Sequence, residues 1–389
     1  MDEKSKSNKY VSIVFIICFV ALIVLPGLLL DRKTSISEEE HRYLTEFPAF
    51  VDASGQVNSQ WKDGFADYLY DRIGLRRQFI STAAITKMEF LHISPNEIIH
   101  VGKDGWYFYT LQGGVEIARG EYFFTEDYLD VLLENHQAIS DYYASKGCEY
   151  YFMPLPGKPT VYPEYLSGGK FSTRKTLIDQ VNETLNERTT VNTIEVKESF
   201  INNKDKGQIF LKQDFHFDTL GSYLAYECIL KKMNETGFMN GASPIPTSMV
   251  DANYGPGEVS GYLGNILTDE IAPDVTFTMN SRQITDGEYY DRIAEICYEA
   301  KSQGCTLDRE IGILENPDAE YGTVLIYGDS QTMLERKLPQ FLAEHFKTVV
   351  RVGNIPDIYG PLDDFVKPDV VIIESIERQI STLYTIPKH

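Results

Sequence analysis

Basic residues are scarce in this 389-residue sequence: 36 Lys and Arg stand against 57 Asp and Glu, for a formal net charge of −21. That balance excludes a simple electrostatic nucleic-acid binder, because phosphate binding needs clustered Lys and Arg. Cysteine is also sparse, with 5 residues, and no Cys/His spacing matches a zinc site, so no metal or other cofactor is expected. Internal repeats and low-complexity tracts are absent, which excludes solenoid and fibrous architectures. There are only 2 Trp, but 25 Tyr and 21 Phe bring the aromatic share to 12%. Such a composition suits contact with sugars and equally suits a Tyr-rich core. A hydrophobic share of 43% supplies ample core for one large domain or two smaller ones at about 100–200 residues each.

Long apolar runs are likewise missing, with a single exception. Tyr10 to Leu30 carries no charge and is long enough to cross a bilayer as a helix. It ends in Pro26-Gly27-Leu28-Leu29-Leu30 rather than a small-x-small cleavage site, so it reads as an uncleaved anchor. Lys4, Lys6 and Lys9 before it, against Arg32 and Lys33 after it, favour a cytoplasmic N-terminus, which places the rest of the chain outside the cytoplasm. In that compartment cysteines are read for disulfides. Cys297 and Cys305 could bridge a short loop, whereas Cys148 and Cys228 read as buried thiols.

The expected organisation is a cytoplasmic tip and transmembrane anchor (1–30), an N-terminal extension (31–120), and a larger domain (121–389) on which the extension packs. Apolar spacing predicts helices within Trp61 to Phe90, Thr125 to Ser145, Thr173 to Glu187, Leu220 to Met233 and Gln331 to Phe346. Val101 to Phe108 carries a hairpin signature. Glu149 to Met153, Val191 to Val196, Thr323 to Tyr327, Thr348 to Val352 and Asp369 to Ile373 read as strands. Continuous apolar strands alternating with helices predict an α/β fold with a parallel sheet between helices. Residues 241–321 break the rhythm and are expected to form an irregular or β insertion.

Two short motifs carry chemistry. Tyr327-Gly328-Asp329-Ser330-Gln331 falls where a buried strand turns into a predicted helix, the edge of a parallel sheet at which reacting groups collect. There the Ser330 hydroxyl would meet the helix N-terminus, whose free N–H groups can stabilise an oxyanion. Asp and Ser are also ordinary helix caps, and the motif is not the G-x-S-x-G elbow. Asp214-Phe215-His216 puts a carboxylate and an imidazole on one side of an extended segment. Asp214 could hold one ring nitrogen and leave the other to take the Ser330 proton, the division of labour in a Ser-His-Asp triad. Softer candidates for oxyanion or substrate contact are Gly328, Asn354, Lys158 and Arg378. Trp106, Tyr107 and Tyr109 could stack on sugar rings or fill core.

With their surroundings these motifs resemble the AlgX/AlgJ-like (DHHW) branch of the SGNH hydrolase superfamily. The resemblance runs through Glu40-His41-Arg42-Tyr43-Leu44, Asp71-Arg72-Ile73-Gly74-Leu75-Arg76, Val101 to Trp106, Met153 to Lys158 with Tyr162-Pro163-Glu164, Asp214-Phe215-His216-Phe217, Gly328-Asp329-Ser330, and Pro368 to Ile372 with Glu377-Arg378. It departs at Phe215 and Phe217, where the family name spells His and Trp. The Asp/His block precedes the Ser block, as in the circularly permuted order of these proteins. The resemblance implies an SGNH-hydrolase-like (flavodoxin-like) sheet and a Ser, His and Asp that move acetyl onto hydroxyls of an exported polysaccharide. It also implies an acetyl donor delivered by a membrane-bound O-acyltransferase. A carbohydrate acetyl esterase and a non-catalytic polysaccharide-binding subunit are the competing readings. The acidity, −21 overall, favours a neutral or zwitterionic acceptor over a strongly anionic one.

Overall fold

The computed structural model describes residues 3–34, 36–37, 42–51, 55–91, 93–168, 175–301, 311–353 and 359–382. Among these residues, seven strands form the central sheet: β1 (Glu149–Leu155), β2 (Asn192–Thr193), β3 (Arg282–Gln283), β4 (Gly312–Glu315), β5 (Tyr321–Gly328), β6 (Phe346–Gly353) and β7 (Val370–Ile376). Their order is β2-β1-β7-β5-β6-β4-β3. The first five run parallel, while β4 and β3 are added antiparallel at one edge. The sheet is therefore mixed, and the expected parallel character holds for the strands that carry the site. These two strands come wholly from the segment expected to form an irregular or β insertion. That segment also holds a separate hairpin, Ser248–Asn253 with Ile271–Thr276, and a helix, Glu288–Lys301.

Alternation along each central strand divides its side chains between two cores. Val324 and Ile326 of β5 face one core, with the helices Thr219–Glu235 and Leu338–Ala343. Leu325 and Tyr327 face the other, packed by the helices Glu126–Ser145, Leu177–Arg188 and Tyr359–Val366. Strands covered on both faces have no polar side to show, which is why their sequences read as unbroken apolar runs. The predicted helix from Gln331 to Phe346 breaks into short 3-10 turns, Ser330–Thr332 and Leu334–Arg336, before the helix Leu338–Ala343. Lys337 adopts a left-handed conformation (φ 68°) and Pro339 can sit only in a first turn, so a continuous helix cannot form. The predicted strand from Val191 to Val196 is ladder-paired only at Asn192 and Thr193.

Packing divides the chain into two units, Met1–Asn96 with Ser260–Leu267, and Glu97–Val259 with Thr268–His389. In the smaller, the helix Glu3–Leu28 contains a stretch, Tyr10–Leu28, of mean hydropathy 3.0 that is long and apolar enough to cross a membrane. The helices Trp61–Arg72 and Arg76–Ile85 come next, separated at Gly74. In the larger unit, Trp106, Phe108, Val115 and Ala118 share a core with β1. Residues 97–120, assigned to the extension on sequence, therefore pack as part of the larger unit. Cys148, Cys228 and Cys297 are all at least partly buried; Cys305 lies outside the described residues, and with it the expected bridge.

Tyr327 ends the apolar part of β5 and donates its hydroxyl to the Asp363 carboxylate at 2.7 Å. Tyr142 and Tyr143 reach the same carboxylate at 3.4 Å. Burial pushes the Asp363 carboxyl up to about 7, against those hydrogen bonds and Lys146. An acid with a folded pKa above its unfolded value of about 3.9 contributes stability that is present below that value and lost as pH rises through about 7. Asp363→Asn removes this dependence. Denaturant titrations at pH 5 and pH 8 are expected to show the parent-minus-variant stability larger at pH 5 by roughly 1–3 kcal/mol; an equal difference at both pH values would refute the linkage.

Candidate active site

The end of β5 is built to hold Ser330 in a turn. Asp329 caps that turn: its Oδ1 accepts the Gln331 N–H at 2.8 Å and its Oδ2 accepts the Ile376 N–H, from the end of β7, at 2.9 Å. Its own N–H donates to Glu374 Oε2 at 2.8 Å. Arg351 of β6, buried, donates to the carbonyls of Gly328 and Asp329 and to Thr332 Oγ1. Gly328 provides space, since a β-carbon there would lie 2.2 Å from Thr332 Oγ1 and 2.9 Å from Glu374 Oε2. The short 3-10 turn lacks the length that gives a helix a macrodipole. The expected long-helix field at Ser330 is therefore missing from this turn, whose Gln331 and Thr332 N–H groups donate to Asp329.

His216 arrives on a tight loop closed by the Phe210–Phe217 bridge and by Asp218 N–H to Ile209 O at 2.9 Å. Asp218 then caps the helix Thr219–Glu235 through the N–H groups of Leu220 and Gly221. Three groups fix the approach to this loop. Glu270 accepts the N–H groups of Lys212 (2.6 Å) and Gln213 (2.8 Å). Lys158 Nζ donates to the carbonyls of Tyr107 (2.6 Å), Lys212 (2.7 Å) and Asp214 (3.1 Å). Gly257, at φ +65°, lies so close that a β-carbon would sit 2.1 Å from Gln213 O.

Between these two supports lies a continuous hydrogen-bonded series. Asp214 Oδ1 is 2.6 Å from His216 Nδ1, and His216 Nε2 is 2.8 Å from Ser330 Oγ. Burial alone would raise the Asp214 carboxyl. The hydrogen bond and charge of His216, then Arg336 and the Glu258 N–H, overcome it and hold the group well below the usual carboxylate range. An ionised carboxylate can only accept, so Nδ1 carries the proton and Nε2 presents its lone pair to the Ser330 hydroxyl. The arrangement can therefore take a proton from Ser330 and stabilise the imidazolium that results.

Sequence reasoning missed Gln331. Its buried carboxamide accepts the Phe217 N–H at 3.2 Å and donates to Phe215 O at 3.4 Å, clasping the residues on both sides of His216. Gln331 thus ties the serine turn directly to the histidine loop, and its place beside Ser330 in the sequence was the available signal. Arg351 was missed because a cation inside a parallel strand gives no motif. Of the softer candidates, Lys158 engages three carbonyls and has no further proton to offer a substrate. Burial pushes it down to about 7 against Glu270 and Asp214. Arg378 packs its guanidinium over the Tyr109 ring at 5.1 Å and lines a pocket with Tyr109, Phe215, Lys158, Pro159 and Glu377. Asn354 lies outside the described residues, directly after Gly353, which pairs with Gly328. Trp106 and Tyr107 are buried, so neither offers an open face to a sugar; Tyr109 remains partly exposed and lines the pocket.

Asp214, His216 and Glu258 also bring three potential ligand atoms within 4.8 Å of one another. The imidazole nitrogen they share is Nδ1, 3.9 Å from Glu258 Oε2. A cation there would replace the Nδ1–H bond to Asp214 and meet the Arg336 guanidinium, 3.8 Å from Asp214 Oδ1. Cation binding and proton relay are therefore competing uses of one nitrogen.

A parallel-stranded core with Ser at a strand end and His and Asp on a facing loop is the arrangement of an SGNH-like α/β fold. Residues 99–350 match the family model ALGX, an SGNH hydrolase-like domain of the acetyltransferase AlgX. The chain belongs to that family and is an SGNH-like O-acetyltransferase. Among solved structures it is similar to Bacillus cereus PatB1 with a sulfonyl adduct, at 16% identity and TM-score 0.52, covering 73% of this chain and 96% of that one. The O-acetyltransferase domain of Pseudomonas putida AlgJ matches at 18% identity and TM-score 0.46, over 75% and 95%. A DHHW family protein from Eubacterium siraeum matches at 15% and 0.45, over 74% and 100%. At such identities the likeness to PatB1 is one of fold. A comparison with curated proteins finds no match.

Gln331→Leu, which keeps the volume and removes both clasping bonds, is expected to lower kcat about 10–100-fold with KM little changed, because misplacing a reacting group by about 1 Å has that scale of effect. Single-turnover kinetics on an acetyl ester, beside a thermal melt, checks it; an unchanged rate in a folded variant would remove Gln331 from the positioning set.

Proposed function

We propose that the protein is a membrane-anchored, extracytoplasmic O-acetyltransferase that carries acetyl on Ser330 to hydroxyls of a cell-surface or exported polysaccharide. The observation that carries this reading is the unbroken series Asp214–His216–Ser330, with contacts of 2.6 and 2.8 Å. Ser330 Oγ bonds to the acetyl carbonyl carbon of the donor while its proton passes to His216 Nε2. The tetrahedral oxyanion is met by the Ser330 N–H and neighbouring donors. Collapse breaks the bond to the donor's leaving group, which takes the proton back from His216 and leaves acetyl-Ser330. A sugar hydroxyl then gives its proton to His216, bonds to the acetyl carbon and releases Ser330, which recovers the proton. Asp214 stays ionised throughout, in keeping with its depressed pKa.

In this reading the acceptor is received against the surface around Tyr109, Phe215 and Arg378, of which Phe215 adjoins His216 in sequence. Its aromatic wall suits the apolar face of a sugar ring. A neutral or zwitterionic glycan is the matching polymer for a chain of charge −21. The donor is acetyl delivered across the membrane by a membrane-bound O-acyltransferase. The apolar helix Tyr10–Leu28 would hold the enzyme at the surface where such a donor arrives.

Incubation with an acetyl ester is expected to give an acetyl adduct by intact mass, lost in Ser330→Ala together with about 10³-fold or more of the turnover. Added neutral oligosaccharide is expected to accept the acetyl ahead of water. Equal turnover in parent and variant would overturn the assignment of Ser330, and hydrolysis unaffected by any oligosaccharide would make the protein an esterase.

A further inference from the structure

The motif Asp71-Arg72-Ile73-Gly74-Leu75-Arg76 takes no part in the acyl-transfer site, yet it is heavily constrained within the smaller unit. Arg72 is buried and its guanidinium donates to the carbonyls of Thr45 (2.8 Å), Thr34 (2.7 Å) and Asp31 (3.3 Å). Asp71 accepts the Thr45 N–H and hydroxyl at 2.8 and 2.7 Å. The chain that leaves the apolar helix is thus wrapped around one arginine. Gly74 N–H donates to Pro26 O at 2.9 Å, and Asp31 N–H to Arg72 O at 2.8 Å. A β-carbon on Gly74 would lie 2.4 Å from Leu29 Cβ and 2.6 Å from Leu29 O, so the two backbones touch. Pro26 lies inside the Tyr10–Leu28 stretch that can cross a membrane. The Gly74 turn is therefore fixed at the depth where that stretch ends.

Two helices lead away from this turn with apolar side chains uncovered. Tyr70 is 67% exposed, Phe79 40%, Phe90 76% and Leu91 57%. Phe79 and Ala83, four apart, share one helix face. The Arg76 guanidinium lies over the exposed Tyr70 ring at 5.0 Å, pairing a cation with an aromatic face. Residues 76 to 90 contain three basic residues, Arg76, Arg77 and Lys87, and one acid, Glu89, a basic stretch on an otherwise acidic chain.

We propose that this helical arm is seated in the interface of an anionic bilayer, with Tyr70, Phe79 and Phe90 at the headgroup–acyl boundary and Arg76, Arg77 and Lys87 toward lipid phosphates. The arm is continuous with the apolar helix through the Gly74–Pro26 hydrogen bond, which selects lipid as its occupant. Exposed apolar side chains with basic neighbours at that depth are matched by acyl chains and phosphates. The proposal rests on reading the apolar helix as a retained anchor. Its consequence is a rigid membrane exit, in place of a free tether.

The test uses the full chain in nanodiscs of phosphatidylcholine and phosphatidylglycerol, with Phe79→Trp and Phe90→Trp compared with the parent and with Phe19→Trp in the anchor. Lipids brominated near the carbonyl are expected to quench the two arm tryptophans at least about two-fold more than the parent, with blue-shifted emission, as for interfacial aromatics. Gly74→Val is expected to abolish that quenching in the Phe79→Trp background while acetyl-ester turnover continues. Quenching of Phe19→Trp by deeply brominated lipid, with water-like emission from both arm positions, would overturn the arm proposal alone and leave that surface to a protein partner. No quenching at Phe19→Trp would remove the anchor and the arm together.

Discussion

Asp329 is the constraint on which the site depends. Its two carboxylate oxygens take N–H groups from the serine turn and from the end of β7, and its own N–H is taken by Glu374 of β7. One side chain therefore sets the spacing between two neighbouring strands at the point where Ser330 leaves the sheet. Burial pushes the Glu374 carboxyl well above its ordinary value, with the Asp329 charge adding to the effect and Arg351 opposing it. Arg351 also holds the carbonyls of Gly328 and Asp329. Buried ionic groups of this kind rarely add net stability, because their desolvation offsets their attraction. What they supply here is a single geometry for the turn.

The histidine loop has the opposite problem, since a loop has no ladder to keep it in register. Lys158 and Glu270 hold the backbone of residues 212–214 by hydrogen bonds, Gly257 lets a neighbouring backbone approach Gln213, and Gln331 holds Phe215 and Phe217 from the serine turn. An ammonium that satisfies three carbonyls inside the fold replaces three waters that a mobile loop would need. Trp106 and Phe108, whose rings lie 5.2 and 5.3 Å from that ammonium, explain why a cation is tolerated there. The same contacts bind the aromatic hairpin to the site, so residues near 107 belong with the catalytic unit rather than with the extension.

The strands of the site were legible because burial on both faces leaves no choice but apolar residues, and that pattern survives in one sequence. Asp214, His216 and Ser330 were legible as residue types at suggestive spacing. Their convergence was not, because 114 positions separate His216 from Ser330 and spacing carries no information across a fold. The helix expected after Ser330 failed for a local reason: apolar spacing outweighed Lys337 and Pro339, whose backbone preferences in fact cut it. The edge strand β3 was hidden because Arg282-Gln283 is two exposed polar residues, and β4 because its apolar run, Ile313-Leu314, is too short to read as a strand.

The supporting residues were illegible for a deeper reason. Arg351 and Gln331 act mainly through backbone groups, and so does Lys158, which the sequence singled out for substrate contact rather than for this support. A polar residue that holds a carbonyl looks, in sequence, like any exposed Lys, Arg or Gln. The sequence therefore announces the three groups of the hydrogen-bonded series and conceals most of the groups that hold them within reach of one another. Proton transfer needs reacting atoms about 2.6–3.2 Å apart, a tolerance that neither loop nor turn can meet alone. The precision of the site lies in the concealed set, and substitutions there are the ones that would leave the motif intact while disabling it.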